Sequence, residues 1–190
     1  MKRITFLQVF FTLALASILV TSCNKNDNEG VELNFEITLP AGWQYQVFDD
    51  INALYYAWSP LRTEDDVLLV KDTINEDLFI SRNYLPGADL GAFNAAVRAN
   101  LAKLSSYVEL YATDTIINGM DSKKLIHLQT IKLAPKVEGG DSLELDIKPI
   151  KYFFYKDDYG YLIDCGALPF TFDYYRNIFE DIVTTFTFKN

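Results

Sequence analysis

One histidine and two cysteines among 190 residues leave little from which to build a metal centre or a thiol enzyme. Structural zinc takes four ligands drawn mainly from Cys and His, so the usual zinc patterns are excluded. The spaced calcium loop, with its central Gly and terminal Glu, is also missing; Asp65-Asp66, Asp72 with Glu76 and Asp77, and Asp157-Asp158 read as solvated turns. There is no Gly-rich phosphate loop, no nucleophile elbow, and no carboxylate pair at a definable spacing. No metal and no cofactor are expected. Positive charge is scarce too: 17 Lys and Arg against 26 Asp and Glu give a net charge of −9. Such a surface repels phosphate backbones, so no nucleic-acid partner is expected.

What the chain does have is apolar and aromatic material, 49% and 15% of residues, enough for a packed core and too much for disorder. The first apolar run is a leader. Lys2 and Arg3 precede a stretch from Ile4 to Val20 broken only by Thr5, Gln8, Thr12 and Ser17. As a helix, Phe6 to Val20 would reach roughly 22 Å, short of a ~30 Å hydrocarbon core, so a secretory signal over residues 1–22 is the reading and a permanent span is not. Val20-Thr21-Ser22-Cys23 resembles the bacterial lipobox, an aliphatic residue and two small ones before the cysteine that receives diacylglycerol. The alternative is an ordinary signal peptide cut nearby, with Cys23 left as a thiol. Lipidation makes Cys23 the attachment point and the new N-terminus, since two or more acyl chains anchor stably where one does not. Removing Lys2 and Arg3 takes the charge to about −11. Residues 23–30 then form a short polar tether, and the expected location is the bacterial outer membrane, on its periplasmic or its surface face.

Residues 31–190 read as one domain. Val31 to Leu39 alternates apolar and polar residues like a half-buried strand, and aromatic-rich strands follow at Trp43 to Phe48 and Leu54 to Ser59, then Val67 to Lys71 and Leu78 to Tyr84. Asp89 caps a helix in which Leu90, Phe93, Val97, Leu101 and Leu104 recur at helical spacing, with Arg98 and Lys103 toward water. Strands at Val108 to Thr115, Met120 to Leu133, Ile147 to Lys156 and Tyr161 to Ala167 suit an antiparallel meander, with turns at Asn118-Gly119 and Asp157 to Gly160. Ala134 to Asp146 interrupts it as a long polar loop suited to partner contact. Thr171 caps a second helix striped by Phe172, Tyr175, Ile178, Phe179, Ile182 and Val183, and Thr185 to Lys189 closes the chain as a strand. The class is α+β: a central antiparallel sheet covered by helices.

Phe35 to Trp43 ("FEITLPAGW"), the helix near residue 90, Ile116 to Gly119 ("IING") and Phe172 to Phe188 ("FDYYRNIFEDIVTTFTF") occur in an order that spans about residues 33 to 188. Together they resemble the PsbP-like family, named for the extrinsic subunit of photosystem II and including many bacterial lipoproteins. It implies a central antiparallel sheet sandwiched by helices, in proteins that mostly bind or organise others: plant members assist the oxygen-evolving complex, and a eukaryotic relative binds the GTPase Ran. No shared catalytic residue comes with it.

The strongest suspicion of enzymatic chemistry is a pair of Cys165 with His127. In a meander their strands are separated by the one at Ile147 to Lys156, about 9.6 Å between backbones, where ~3 Å contact is needed. Cys165 therefore reads as a small buried residue, and His127 as a sheet residue with a local hydrogen-bond partner. Aromatic rings stack on sugars, which makes Tyr55, Tyr56 and Trp58 the candidate ligand-binding residues against the plainer reading that they build core. The expectation is a membrane-tethered, non-enzymatic module that binds or assembles an envelope protein; the alternative is a small-ligand or glycan-binding carrier.

Overall fold

The computed structural model describes residues 33–50, 52–60, 76–133 and 142–189. Among these residues ten strands and two helices follow in the order β1 (Phe35–Glu36), β2 (Gln44–Val47), β3 (Ala53–Trp58), β4 (Asp77–Tyr84), α1 (Leu90–Leu101), β5 (Val108–Ile117), β6 (Met120–Leu133), β7 (Leu143–Ile147), β8 (Ile150–Lys156), β9 (Tyr159–Gly166), α2 (Phe172–Thr184) and β10 (Thr187–Phe188). The main sheet is antiparallel in the order β2-β3-β4-β9-β8-β6-β5, with β7 beside β6. Its two faces carry one helix each, so the α+β sandwich is what the chain adopts, and the last four long strands form the expected meander.

Alternation decides which residues meet which helix. Ile126, Ile150, Tyr152, Phe154, Ile163 and Cys165 point to one face, where Phe172, Tyr175, Phe179, Ile182 and Val183 of α2 close a continuous apolar core. Leu125, Phe153 and Leu162 point to the other face and meet Phe93, Val97 and Leu101 of α1. Gly160 makes this second contact possible, because a Cβ there would lie 2.6 Å from the Phe93 ring. α1 starts as expected, Asp89 Oδ1 accepting from the Ala92 N–H at 2.7 Å, and it ends at Leu101, leaving Leu104 in the following turn. Thr171 stands at the start of α2 but caps nothing with its side chain: its hydroxyl donates backward to the Leu168 carbonyl at 3.2 Å.

Several boundaries differ from the sequence reading. Only Phe35 and Glu36 of the first alternating stretch form a strand, and they pair with β10 outside the main sheet; Ile37, Leu39 and Trp43 then run on as a strap against the α2-side core. The β8–β9 turn is Asp157-Asp158 alone, both at positive φ (51° and 62°), so Tyr159 and Gly160 belong to β9. The loop after β6 is shorter than expected because Leu143, Leu145 and Ile147 alternate and form β7. β7 continues the pairing of β8 on β6 in one register, from Leu133↔Leu143 through Gln129↔Ile147 to Lys123↔Phe153. The strand breaks only at Lys148-Pro149, where proline has no N–H to give and its carbonyl accepts from His127 N–H at 3.3 Å. Residues 134–141 of that loop, the expected strand Val67 to Lys71, the leader, Cys23 and the tether lie outside the described residues.

Candidate functional sites

The three candidate aromatics lie on one strand, and a strand sends neighbours to opposite faces. Tyr55 points to the α2 side, is buried, and stacks on Tyr45 with centroids 5.5 Å apart. Tyr56 and Trp58 point to the α1 side and stack on each other at 5.3 Å. The sheet thus separates Tyr55 from the other two, and the three do not form one platform. Trp58 is half-buried, its indole N–H donating to Gln44 Oε1 at 3.1 Å; Tyr56 is buried and donates to Asp77 Oδ2 at 3.1 Å.

Cys165 and His127 stand as the sequence placed them, with β8 between their strands, and alternation also turns them to opposite faces. Burial, reinforced by Asp164 and Asp77, pushes the Cys165 thiol well above its ordinary range, which disfavours the thiolate. His127 differs from expectation. It is fully buried beside the Tyr107 ring, with centroids 5.2 Å apart, and neither ring nitrogen has a hydrogen-bond partner. Burial first, and the Lys151 ammonium second, lower its pKa to about 3, so the ring is neutral. Among the described acidic turn candidates, Glu76 and Asp77 are buried instead of solvated; Asp157 and Asp158 are exposed turn residues, and Asp158 Oδ1 accepts from the Gly87 N–H at 3.3 Å. No group of three or more His, Cys, Asp or Glu that could hold a metal occurs among the described residues.

The α1 side carries a cluster of ionisable groups that sequence reasoning missed. Lys151 on β8 and Asp164 on β9 are direct cross-strand partners and form a buried ion pair. Asp77 on β4 lies one strand further on and two residues along. Burial, then the Asp164 charge, raise its carboxyl well above the usual carboxylate range, against the lowering effect of the Tyr56 hydroxyl and the Gly166 N–H. Asp164 Oδ1 and Gln129 Oε1, like the His127 nitrogens, are buried without a partner. Chemically this set contains an acid, a base and a cation. Their burial matters more: general acid–base work needs a group within hydrogen-bond reach of a substrate, and Asp77, Lys151, Asp164 and His127 are all enclosed.

The open feature is β5. It is a ten-residue strand at the end of the sheet order, so one edge pairs with β6 and the other has no strand beside it among the described residues. Val108, Leu110, Tyr111 and Ile116 are exposed, Ile116 to 70%. Long edges of this kind are templates for another strand unless charge, proline or a bulge blocks them. Here the bulge sits early, between Glu109 and Tyr111, and the stretch from Tyr111 to Ile117 is regular. Its one charge, Asp114, is held by Lys123 of the neighbouring strand.

No family model matches the chain, and no curated protein matches it in sequence. Solved structures do match. LpqN of Mycobacterium tuberculosis, involved in cell envelope biogenesis, aligns at a TM-score of 0.55 and 8% identity over 82% of this chain and 83% of that one. Cyanobacterial PsbP from Synechocystis sp. PCC 6803 aligns at 0.48 and 11% identity, over 89% and 98%. PA94 of Pseudomonas aeruginosa, a protein of unknown function, aligns at 0.47 and 14%, over 83% and 85%. At 8% identity the likeness to LpqN is one of fold alone.

Proposed function

We propose that this chain is a PsbP-like lipoprotein of the bacterial envelope that acts by binding another protein through strand addition at β5, and not by catalysis. The observation that carries the reading is the contrast in access: Asp77, Lys151, Asp164 and His127 on the α1 side are all enclosed, whereas β5 presents an edge unpaired among the described residues, with four exposed apolar side chains. Strand addition draws affinity from main-chain hydrogen bonds and specificity from alternate side chains, and β5 offers both. The envelope setting follows from the lipobox-like sequence at Cys23 and agrees with the role of LpqN, which shares the fold. In this reading diacylglycerol on Cys23 holds the mature protein to the outer membrane, on whichever face, and the polar stretch to Gly30 lets the domain stand clear of it.

In-cell crosslinking with mass spectrometry tests the binding reading. A specific protein crosslinked through Lys123, the lysine beside the β5 edge, is the expected result; crosslinks confined to other surfaces overturn it. Cys23→Ala is expected to leave the protein unprocessed or released from membranes, and normal membrane attachment of that variant overturns the anchor. A small-ligand or glycan carrier is the second reading, favoured by the half-buried Trp58 stacked on Tyr56. It predicts thermal stabilisation by an added glycan that a Trp58→Ala variant loses.

A further inference from the structure

We infer that the strand β5 receives is the β5 of a second copy of this chain, paired antiparallel about a two-fold axis at Thr113; this rests on the strand-addition reading above. The β5–β6 turn decides which backbone groups of β5 are free. Asn118 and Gly119 both have positive φ (50° and 75°), which makes a two-residue hairpin closed by Ile117↔Met120. The closing pair of such a hairpin exchanges both backbone hydrogen bonds, and bonded pairs then alternate along the ladder. Tyr111, Thr113, Thr115 and Ile117 therefore turn their backbone groups toward β6, while Ala112, Asp114 and Ile116 turn theirs outward. Any added strand must bond to those three.

If the added strand is β5 itself, only a few registers set outward residue against outward residue. Centring on Asp114 places two carboxylates directly opposite each other, which is destabilising. Centring on Ala112 sets Leu110 against Asp114. Centring on Thr113 resolves both conflicts. Ala112 then faces Asp114 of the second copy, Leu110 at the bulge faces Ile116, Tyr111 faces Thr115, and Thr113 faces Thr113. The exposed Leu110 and Ile116 thus cover each other twice, by symmetry, and no two like charges stand directly opposite. Each Asp114 keeps its own Lys123 partner. An edge with no such self-complementary register would suit only a foreign strand. The net charge of about −11 on each mature copy opposes the association, so added salt strengthens it.

The register can be read covalently. Thr113 faces its symmetry mate in a non-hydrogen-bonded pair, where Cα atoms lie about 4.5 Å apart, within disulfide range. Mild oxidation of intact cells expressing the full-length Thr113→Cys chain is expected to give a covalent dimer above the parent level, the parent chain carrying Cys23 and Cys165. Ala112→Cys and Thr115→Cys, whose mates are Asp114 and Tyr111, stay at the parent level. In parallel, the photo-crosslinking residue p-benzoylphenylalanine at Ala112 is expected to capture a second copy. Capture of a different protein overturns the second-copy inference and leaves strand addition standing. Capture of a second copy without the Thr113→Cys dimer overturns the register. No capture and no dimer overturn both the inference and the reading beneath it.

Discussion

The two faces of the sheet are built from the same strands and differ in what they bury. Toward α2 the inward residues of the central strands β8 and β9 are apolar, tyrosine or cysteine as far as the half-buried Lys156 at the end of β8, whose ammonium lies over the Phe188 ring, and Trp43, Tyr175 and Phe179 close over them with edge and tilted ring contacts. Toward α1 the apolar contact is small, Phe93 on Leu125 and Phe153, and beside it lie a buried ion pair, a raised carboxyl and an unpartnered histidine. Buried aromatic area supplies stability directly, at roughly 25 cal/mol per Å². Buried charge costs desolvation and returns it only through good pairing. The lesson is one of division: the α2 side stabilises the fold, whereas the α1 side holds polar groups in fixed register at a cost.

The largest effect that tests this division is expected at Phe179, which is fully buried against Trp43 and Tyr175 at 6.1 and 6.0 Å. Phe179→Ala should destabilise by about 3–5 kcal/mol in urea unfolding. Phe93→Ala on the α1 side removes the same ring from a smaller cluster and should sit at the lower end of that range. If Phe93 proves the costlier, the division is wrong.

Next comes the ion pair. Lys151→Met strands Asp164 in the interior and should cost about 3–5 kcal/mol, because breaking a buried pair leaves an uncompensated charge. The double variant Lys151→Met with Asp164→Leu should recover most of that loss or exceed the parent. A double variant no better than the single would mean that the two side chains stabilise the fold through other neighbours. Urea midpoints at constant slope separate the cases.

Much of this architecture was readable from alternation. The meander, the two helices and the separation of Cys165 from His127 all follow from periods of 2 and 3.6, which are local properties. What escaped was register. Taking Asp157 to Gly160 as a four-residue turn hides the pairing of Lys151 with Asp164; taking Asp157-Asp158 as the whole turn places Lys156 opposite Tyr159 and, five residues back, Lys151 opposite Asp164. Opposite charges then meet on a face shared with Phe153 and Leu162. The approach of Asp77 and Tyr56 was beyond such counting, since β4 reaches β9 through a long crossover. The exposed edge of β5 was equally hidden, because alternation marks Val108 to Thr115 as a strand without telling what lies beside it, and only the strand order shows no neighbour on that side among the described residues.

The most gradual expected effect, and the sharpest test, is the pH dependence of the α1 side. His127 is held neutral, with a pKa lowered from 6.5 to about 3 by burial and by Lys151. Between those values the unfolded chain binds a proton that the folded chain refuses, so the stability this site contributes is present above pH 6.5 and is lost as pH falls toward 3. Asp77 has the opposite sign: its raised carboxyl contributes most below the ordinary aspartate range and loses that contribution as pH rises through its folded pKa. His127→Phe keeps a ring beside Tyr107 and removes the titrating nitrogens. Whatever the packing difference at pH 7, the variant should gain on the parent by up to about 1.4 kcal/mol for each pH unit below 6.5. Phe179→Ala, which touches no titrating group in its ring contacts except the Tyr175 phenol, should run parallel to the parent over the same range. Parallel curves for both variants would show that His127 is hydrated in solution and that the α1 side is less sealed than the α2 side by more than its composition.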